Sequence, residues 1–166
     1  VIGPGDKRLL KLFRLANWRL IPIVGGGENH YQIIHVHDLT QLMIAAAANK
    51  QAAGQTYICG NAEVLKLRDL ILLISKASST QAHGRTFSVP LRAAKSVGGF
   101  IEWVCTTLGL NPTVSAARLE FFTASHRFDV SKAEREICAE AGLKFAYTNS
   151  MAVADAQRWY EHQRWL

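Results

Sequence analysis

Short apolar runs that close on glycine or proline alternate, along this chain, with longer stretches of helical periodicity. That alternation restricts its fold more than any other feature. Ile21–Val24 is extended and ends in the flexible turn Gly25-Gly26-Gly27, and Tyr31–Val36, Gln55–Cys59 behind Gly54, and Thr86–Val89 ahead of Pro90 also read as strands. Val1-Ile2 reads as the end of a further strand, turned by Gly3-Pro4-Gly5. Between these, Leu9, Leu10, Phe13, Leu15, Ala16 and Leu20 give a broad apolar face to a helix predicted from an Asp6 cap through Arg19. Asp38-Leu39-Thr40-Gln41 has capping-box spacing and starts a helix through about Asn49; Ser131-Lys132-Ala133-Glu134 is a second such box. Helices are also predicted over Leu67–Ala77, from Pro90 with breaks at Gly98-Gly99 and around Gly109–Pro112, over Ser115–Phe122, and over Ser150–Gln163, with an extended piece at His126–Asp129. The expectation is an α/β chain, mostly helical, with a few short strands and no internal repeat.

Of the 166 residues 49% are apolar and 19% charged, enough for one sizeable core and too apolar for a disordered chain. The net charge of +6 is scattered rather than gathered into a basic stripe with interleaved aromatics, so no nucleic-acid partner is expected. The greasiest stretches, Leu70–Ile74 and Gly98–Leu110, are too short to span a bilayer, and Glu102 interrupts the second. The chain opens on Val1 with no signal peptide, so the native N-terminus is not in view. Cys59, Cys105 and Cys138 are odd in number and far apart; each reads as a buried apolar residue of a reducing, cytoplasmic protein.

Seven motifs in order resemble one family, the extended short-chain dehydrogenases/reductases of the NAD(P)-dependent epimerase/dehydratase and 3β-hydroxysteroid-dehydrogenase-like group. Val1-Ile2-Gly3-Pro4-Gly5-Asp6 resembles the family's V-Y-G-P-G-D, and Ile33-Ile34-His35-Val36-His37-Asp38-Leu39 its F-I-H-V-x-D-L. Gly54-Gln55-Thr56-Tyr57-Ile58-Cys59 and Arg68-Asp69-Leu70 are similar to its G-x-x-Y-n-i strand and R-E-L helix opening. Phe87-Ser88-Val89-Pro90, Phe128-Asp129-Val130-Ser131-Lys132-Ala133 and the closing Trp159-Tyr160 follow in the family's order. The resemblance implies the C-terminal part of a Rossmann-type fold, with residues 1–166 as its substrate-binding portion. The family's glycine-rich dinucleotide turn and its Tyr-x-x-x-Lys pair lie upstream of V-Y-G-P-G-D. Neither is found here: Gly25–Gly27 leads into an extended segment, and none of Tyr31, Tyr57, Tyr147 and Tyr160 has a lysine four residues on.

By resemblance, then, no catalytic residue is expected in this chain. NAD or NADP would serve the complete enzyme, and none is expected for this chain alone. Gly3-Pro4-Gly5, at the C-terminal end of a strand where ligands collect in open α/β folds, would border the nicotinamide and the substrate. Ile2 and Gly3 are the candidates for the cofactor; Gly3, Pro4, Tyr31, Gln32 and His35 are the candidates for a small-molecule substrate. Sugar-nucleotide epimerases of the family usually carry R-D where this chain has Tyr31-Gln32, which cannot pair a diphosphate bidentately. That favours a steroid-dehydrogenase-like or related substrate. Lys66 stands where the family often has a Ser or Thr cap, and Gly142 comes late, as if the helix after Ser131 were a turn longer. His35 and His37 share a face of a predicted strand, but no third ligand is spaced to complete a metal site, and none is expected. The tract Val97–Leu110 reads as a lid or core helix ahead of a membrane-surface contact, and Trp159 and Trp165 read as packing residues. The expected function is the substrate-binding half of an NAD(P)-dependent oxidoreductase or epimerase acting on a hydroxyl or keto group, inactive on its own. The alternative is a free-standing binding or assembly module. The expected partner is a second copy, through an open sheet edge, or an N-terminal half.

Overall fold

The computed structural model describes residues 1–78, 85–107 and 124–166. Its elements in chain order are α1 (Leu10–Ala16), β1 (Leu20–Val24), a 3-10 turn (Gly25–Gly27), β2 (His30–Tyr31), α2 (Val36–Ala48), β3 (Leu65–Lys66), α3 (Leu67–Ala77), β4 (Arg85–Val89) and α4 (Leu91–Thr107). A helical turn α5 (Ser131–Ala133) widens into a π-helix over Glu134–Cys138, and α6 (Asn149–His162) closes the chain. Among the described residues β1 pairs in parallel with β4, from Leu20 opposite Arg85 to Val24 opposite Val89, and β2 pairs antiparallel with β3. No helix of the described residues is long and apolar enough to cross a membrane.

The larger core joins Ile2, Phe13, Ile21, Ile23 and Ile33 to Leu67, Leu70, Ile71 and Ile74 of α3 and to Ala152, Val153, Ala156 and Tyr160 of α6. The α3 residues recur at three- and four-residue spacing, which puts them on one side of the helix. A smaller cluster is built on Leu42, Ala133 and Ile137, with Tyr57, Cys59 and Cys138 packed against it. Burial pushes both of these thiols above the ordinary range, and Glu134 and Cys59 raise Cys138 further.

Several expected elements are corrected by what their backbones pair with. α1 is shorter than Asp6–Arg19 because Asp6 turns back to accept from the Arg8 amide (2.8 Å), while Arg19 already serves the sheet, its carbonyl accepting from the Arg85 amide (2.9 Å). The strand expected over Tyr31–Val36 is divided among three partners. Tyr31 pairs with Leu65, the Ile33 carbonyl accepts from Asn61, and Ile34 and Val36 bond Ile2 (2.8 and 2.9 Å). Gln55–Cys59 forms no ladder; Tyr57 and Cys59 pack on the smaller cluster, with no strand beside them among the described residues. α4 runs unbroken through Gly98-Gly99, since a helical glycine costs only about 1 kcal/mol relative to alanine. The break at Gly109–Pro112, the helix Ser115–Phe122 and the side chains of Phe100, Ile101, Trp103, Val104 and Cys105 lie outside the described residues.

Both capping boxes are also corrected. α2 begins at Val36, not after Asp38, and its cap is His35, whose Nδ1 accepts from the His37 amide (3.3 Å). α5 begins at Ser131 itself, whose amide bonds the Asp129 carboxylate (2.9 Å). The Ser131 hydroxyl, and after it that amide, hold the Asp129 carboxyl below the usual carboxylate range. α6 starts close to expectation, with Thr148 accepting from the Met151 amide (3.3 Å), and α3 starts at Leu67, where the preceding Lys66 gives no side-chain cap.

Candidate functional site

Three chain segments, around residues 30–32, 61 and 126–128, meet at the end of β2. There the chain leaves its ladder at Gln32 and runs beside residues 126–128: the His126 amide donates to the His30 carbonyl (2.7 Å), and the Gln32 amide donates to the His126 carbonyl (3.1 Å). The Gln32 side chain ties this junction together. Its Nε2 donates to the Asn61 carbonyl (2.8 Å) and its Oε1 accepts from the Phe128 amide (2.8 Å). A cavity of about 490 Å³ opens here, lined by Gln32, Val64, Arg127, Phe128, Ser131 and Glu134 among others. That is within the ordinary volume of a small-molecule site, roughly 300–1,000 Å³.

The lining chemistry is mixed. Phe128 leaves 49% of its surface open, Arg127 brings a guanidinium, Glu134 a carboxylate and Ser131 a hydroxyl. Such a wall can cover an apolar ring and hydrogen-bond an oxygen in either direction. Gln32 shapes the cavity, but both ends of its amide are engaged by backbone. Gly60 packs against it: a Cβ at residue 60 would stand 3.0 Å from Gln32 Cδ and Cγ. Gly60→Ala is therefore expected to cost about 1–2 kcal/mol, because a tethered amide cannot step aside. Chemical unfolding measures the loss, and an unchanged midpoint would show that Gln32 yields freely.

The other sequence-predicted residues fall elsewhere. Tyr31 turns into the core, its ring edge-on to His126 (5.3 Å), and burial raises its phenol above the ordinary value. Its buried hydroxyl has no hydrogen-bond partner among the described residues. His35 is only 4% exposed, stacked on Tyr147 at 3.7 Å, with Nε2 3.3 Å from Asp155 Oδ2, out of line for a hydrogen bond. Ile2 is fully buried. Pro4 is exposed. At Gly3 (φ +151°) an added Cβ would meet Val36 Cγ1 at 2.6 Å, so its bareness serves internal packing. Of the predicted residues, then, Gln32 alone borders the cavity, while Gly3, His35 and Ile2 meet at the start of α2. Arg127, Phe128, Ser131 and Glu134 are cavity residues that the sequence reading does not single out; the motif Phe128–Ala133, which holds two of the four, is the available signal.

A second cleft of about 170 Å³ lies between Gly26, Arg68 and Ser88, beside the exposed Glu28–Lys66 ion pair (2.7 Å). It is small for an organic ligand. No group of three or more potential metal ligands occurs among the described residues.

With this geometry the chain can be set beside known proteins. An epimerase of Methanothermobacter thermautotrophicus superposes with a TM-score of 0.66 at 15% identity, over 98% of this chain and 41% of its own. The protein gox2253 does so with a TM-score of 0.64 at 22% identity (98% and 47%), and UDP-glucuronic acid 4-epimerase of Bacillus cereus, in complex with NAD, with 0.58 at 15% (98% and 42%). The chain has the fold of part of each of these proteins, and spans less than half of their length. The chain is also 33% identical, over 144 residues, to the uncharacterized protein y4nG of Sinorhizobium fredii. The match covers 87% of this chain and a third of that protein. No protein-family model matches the chain.

Proposed function

We propose that this chain is the substrate-binding portion of an NAD(P)-dependent oxidoreductase or epimerase acting on a hydroxyl or keto group, and that the cavity at Phe128 receives the substrate. The observation that carries the reading is the cavity's construction: Gln32 joins three chain segments around a space bounded by an aromatic ring, a guanidinium and a carboxylate. A steroid-like or related apolar alcohol or ketone suits it better than a sugar nucleotide. Tyr31 is turned inward and the Gln32 amide is engaged, so neither can grip a diphosphate, and Arg127 is the single guanidinium among the described lining residues.

The described residues do not fit a dinucleotide. Gly25–Gly27 passes into β2 rather than into a helix N-terminus, and the space a Cβ would take at Gly27 is filled by Ile23 and Arg68. The 166-residue chain is therefore expected to take up neither NAD nor NADP at micromolar concentration and to show no turnover. Calorimetry with both nucleotides, and NMR titration with a 3β-hydroxysteroid and with UDP-glucuronic acid, form the test. The steroid is expected to shift the Phe128 amide and the Gln32 side-chain amide. Micromolar binding of a nucleotide, or a steroid response confined to other residues, would overturn the reading.

A further inference from the structure

We propose that the basic face around α1 docks on an anionic bilayer surface, with Trp18 and Leu20 entering the headgroup layer. The positive charge, which reads as scattered along the chain, is gathered there. Residues 7–19 hold Lys7, Arg8, Lys11, Arg14 and Arg19 and no acidic residue, so all but one unit of the net charge of +6 lies in this segment. α1 turns its apolar side, with Phe13 and Ala16, into the larger core and leaves all five cations exposed. Lys11 and Arg14, three residues apart, share one side of the helix. Arg14 donates from Nε and Nη2 to the Trp165 carbonyl (3.0 and 2.9 Å), and Lys7 stands over the Trp165 ring (5.5 Å), which fixes one edge of the face. None of the five cations forms an ion pair among the described residues.

The charges select the occupant. A second copy would bring the same cations against these and be repelled. The chain spans less than half of its structural neighbours, but the rest of such a protein is no ready cover for this face. Lysine and arginine are almost never buried unless paired, and closing protein over five unpaired cations would cost their hydration. A solvated face of this kind attracts a polyanion. The residues beside the cations decide which one. Trp18 is 57% exposed and Leu20 61%; Leu20 stands opposite Arg85 in the β1–β4 pair, and Phe87, 48% exposed, stands opposite Pro22. A nucleic-acid strand uses cations interleaved with rings that stack its bases, and an aliphatic tip such as Leu20 offers it nothing. An anionic bilayer uses both kinds of residue: headgroups meet the cations, while an exposed tryptophan and leucine enter the interface beside them. The face shares no residue with the cavity at Phe128, so it stands independently of the reading of that cavity.

Co-sedimentation of the full chain with lipid vesicles tests this. At about 0.05 M salt the chain is expected to bind phosphatidylcholine vesicles holding about 30% phosphatidylglycerol at least about 10-fold more tightly than pure phosphatidylcholine, and to be released at about 0.5 M salt. Lys11→Glu combined with Arg19→Glu, both at exposed positions, is expected to weaken binding at least about 10-fold with the circular dichroism unchanged. Lys50→Glu combined with Lys144→Glu lowers the net charge equally at exposed positions elsewhere, and is expected to weaken binding less than about 3-fold. Brominated phosphatidylglycerol should quench the fluorescence of the unaltered chain and quench that of Trp18→Phe much less, a readout that needs no charge variant. Equal binding to neutral and anionic vesicles, equal losses in the two charge pairs, or undiminished quenching in Trp18→Phe would overturn the proposal. So would single-stranded DNA that strips the chain from anionic vesicles at equal phosphate, since the face would then be a nucleic-acid surface.

Discussion

Asp38→Ala is expected to cost the fold about 3 kcal/mol, several times the worth of a helix cap. The carboxylate is 3% exposed and spans more than a hundred residues of sequence: Oδ1 accepts from the Ala146 amide (2.9 Å) and Oδ2 from the Tyr147 amide (3.0 Å). Each is a charge-assisted bond, and truncation would leave two part-buried amides without an acceptor. The loss spreads because Tyr147 stacks on His35, which caps α2, and His35 lies against Asp155 of α6. Urea unfolding should show a lower midpoint at an unchanged slope. A loss below about 1 kcal/mol would mean that Asp38 acts only as a local cap after all.

Removing the Tyr160 side chain should be comparably severe. The residue is fully buried, edge-on to Phe13 at 4.9 Å and stacked with Trp165 at 6.1 Å, and its hydroxyl donates to the Asp6 carbonyl. Tyr160→Ala is expected to destabilise by about 4 kcal/mol through lost contacts and the cavity left behind, and Tyr160→Phe by about 1 kcal/mol. Burial, and secondarily the Asp6 charge, push this phenol up to about 12 from an ordinary 10.0. The folded-state value lies above the unfolded one, so the tyrosine's contribution is whole below pH 10 and is lost as pH climbs toward 12. Alkaline melts of the chain and of Tyr160→Phe should therefore converge over that window. Parallel curves would place the phenol outside the core.

Elements whose own residues satisfy them were legible in advance. α3 matches its predicted bounds because Leu67, Leu70, Ile71 and Ile74 carry the helical period unaided, and α6 and β4 lie close to theirs for similar reasons. Cavity residues were less legible. Phe128 and Gln32 are 96 positions apart, and a backbone amide bonded to a side-chain carbonyl leaves no trace in spacing.

Asp38 shows where the boundary falls. Sequence alone determined that a carboxylate stands at the start of an uncharged helix, within an α/β chain whose order of motifs resembles an epimerase. Capping-box spacing suggested that this carboxylate serves its own helix. Only the tertiary structure decided that it serves residues 146 and 147 instead, leaving His35 to cap α2. The same holds for Gln55–Cys59, whose composition suits a strand and whose conformation depends on whether another strand lies beside it. Helical hydrogen bonds close within four residues, so the local sequence carries the information needed to form them. A strand or a buried acceptor takes its partner from distant parts of the chain, and which partner arrives is settled by packing.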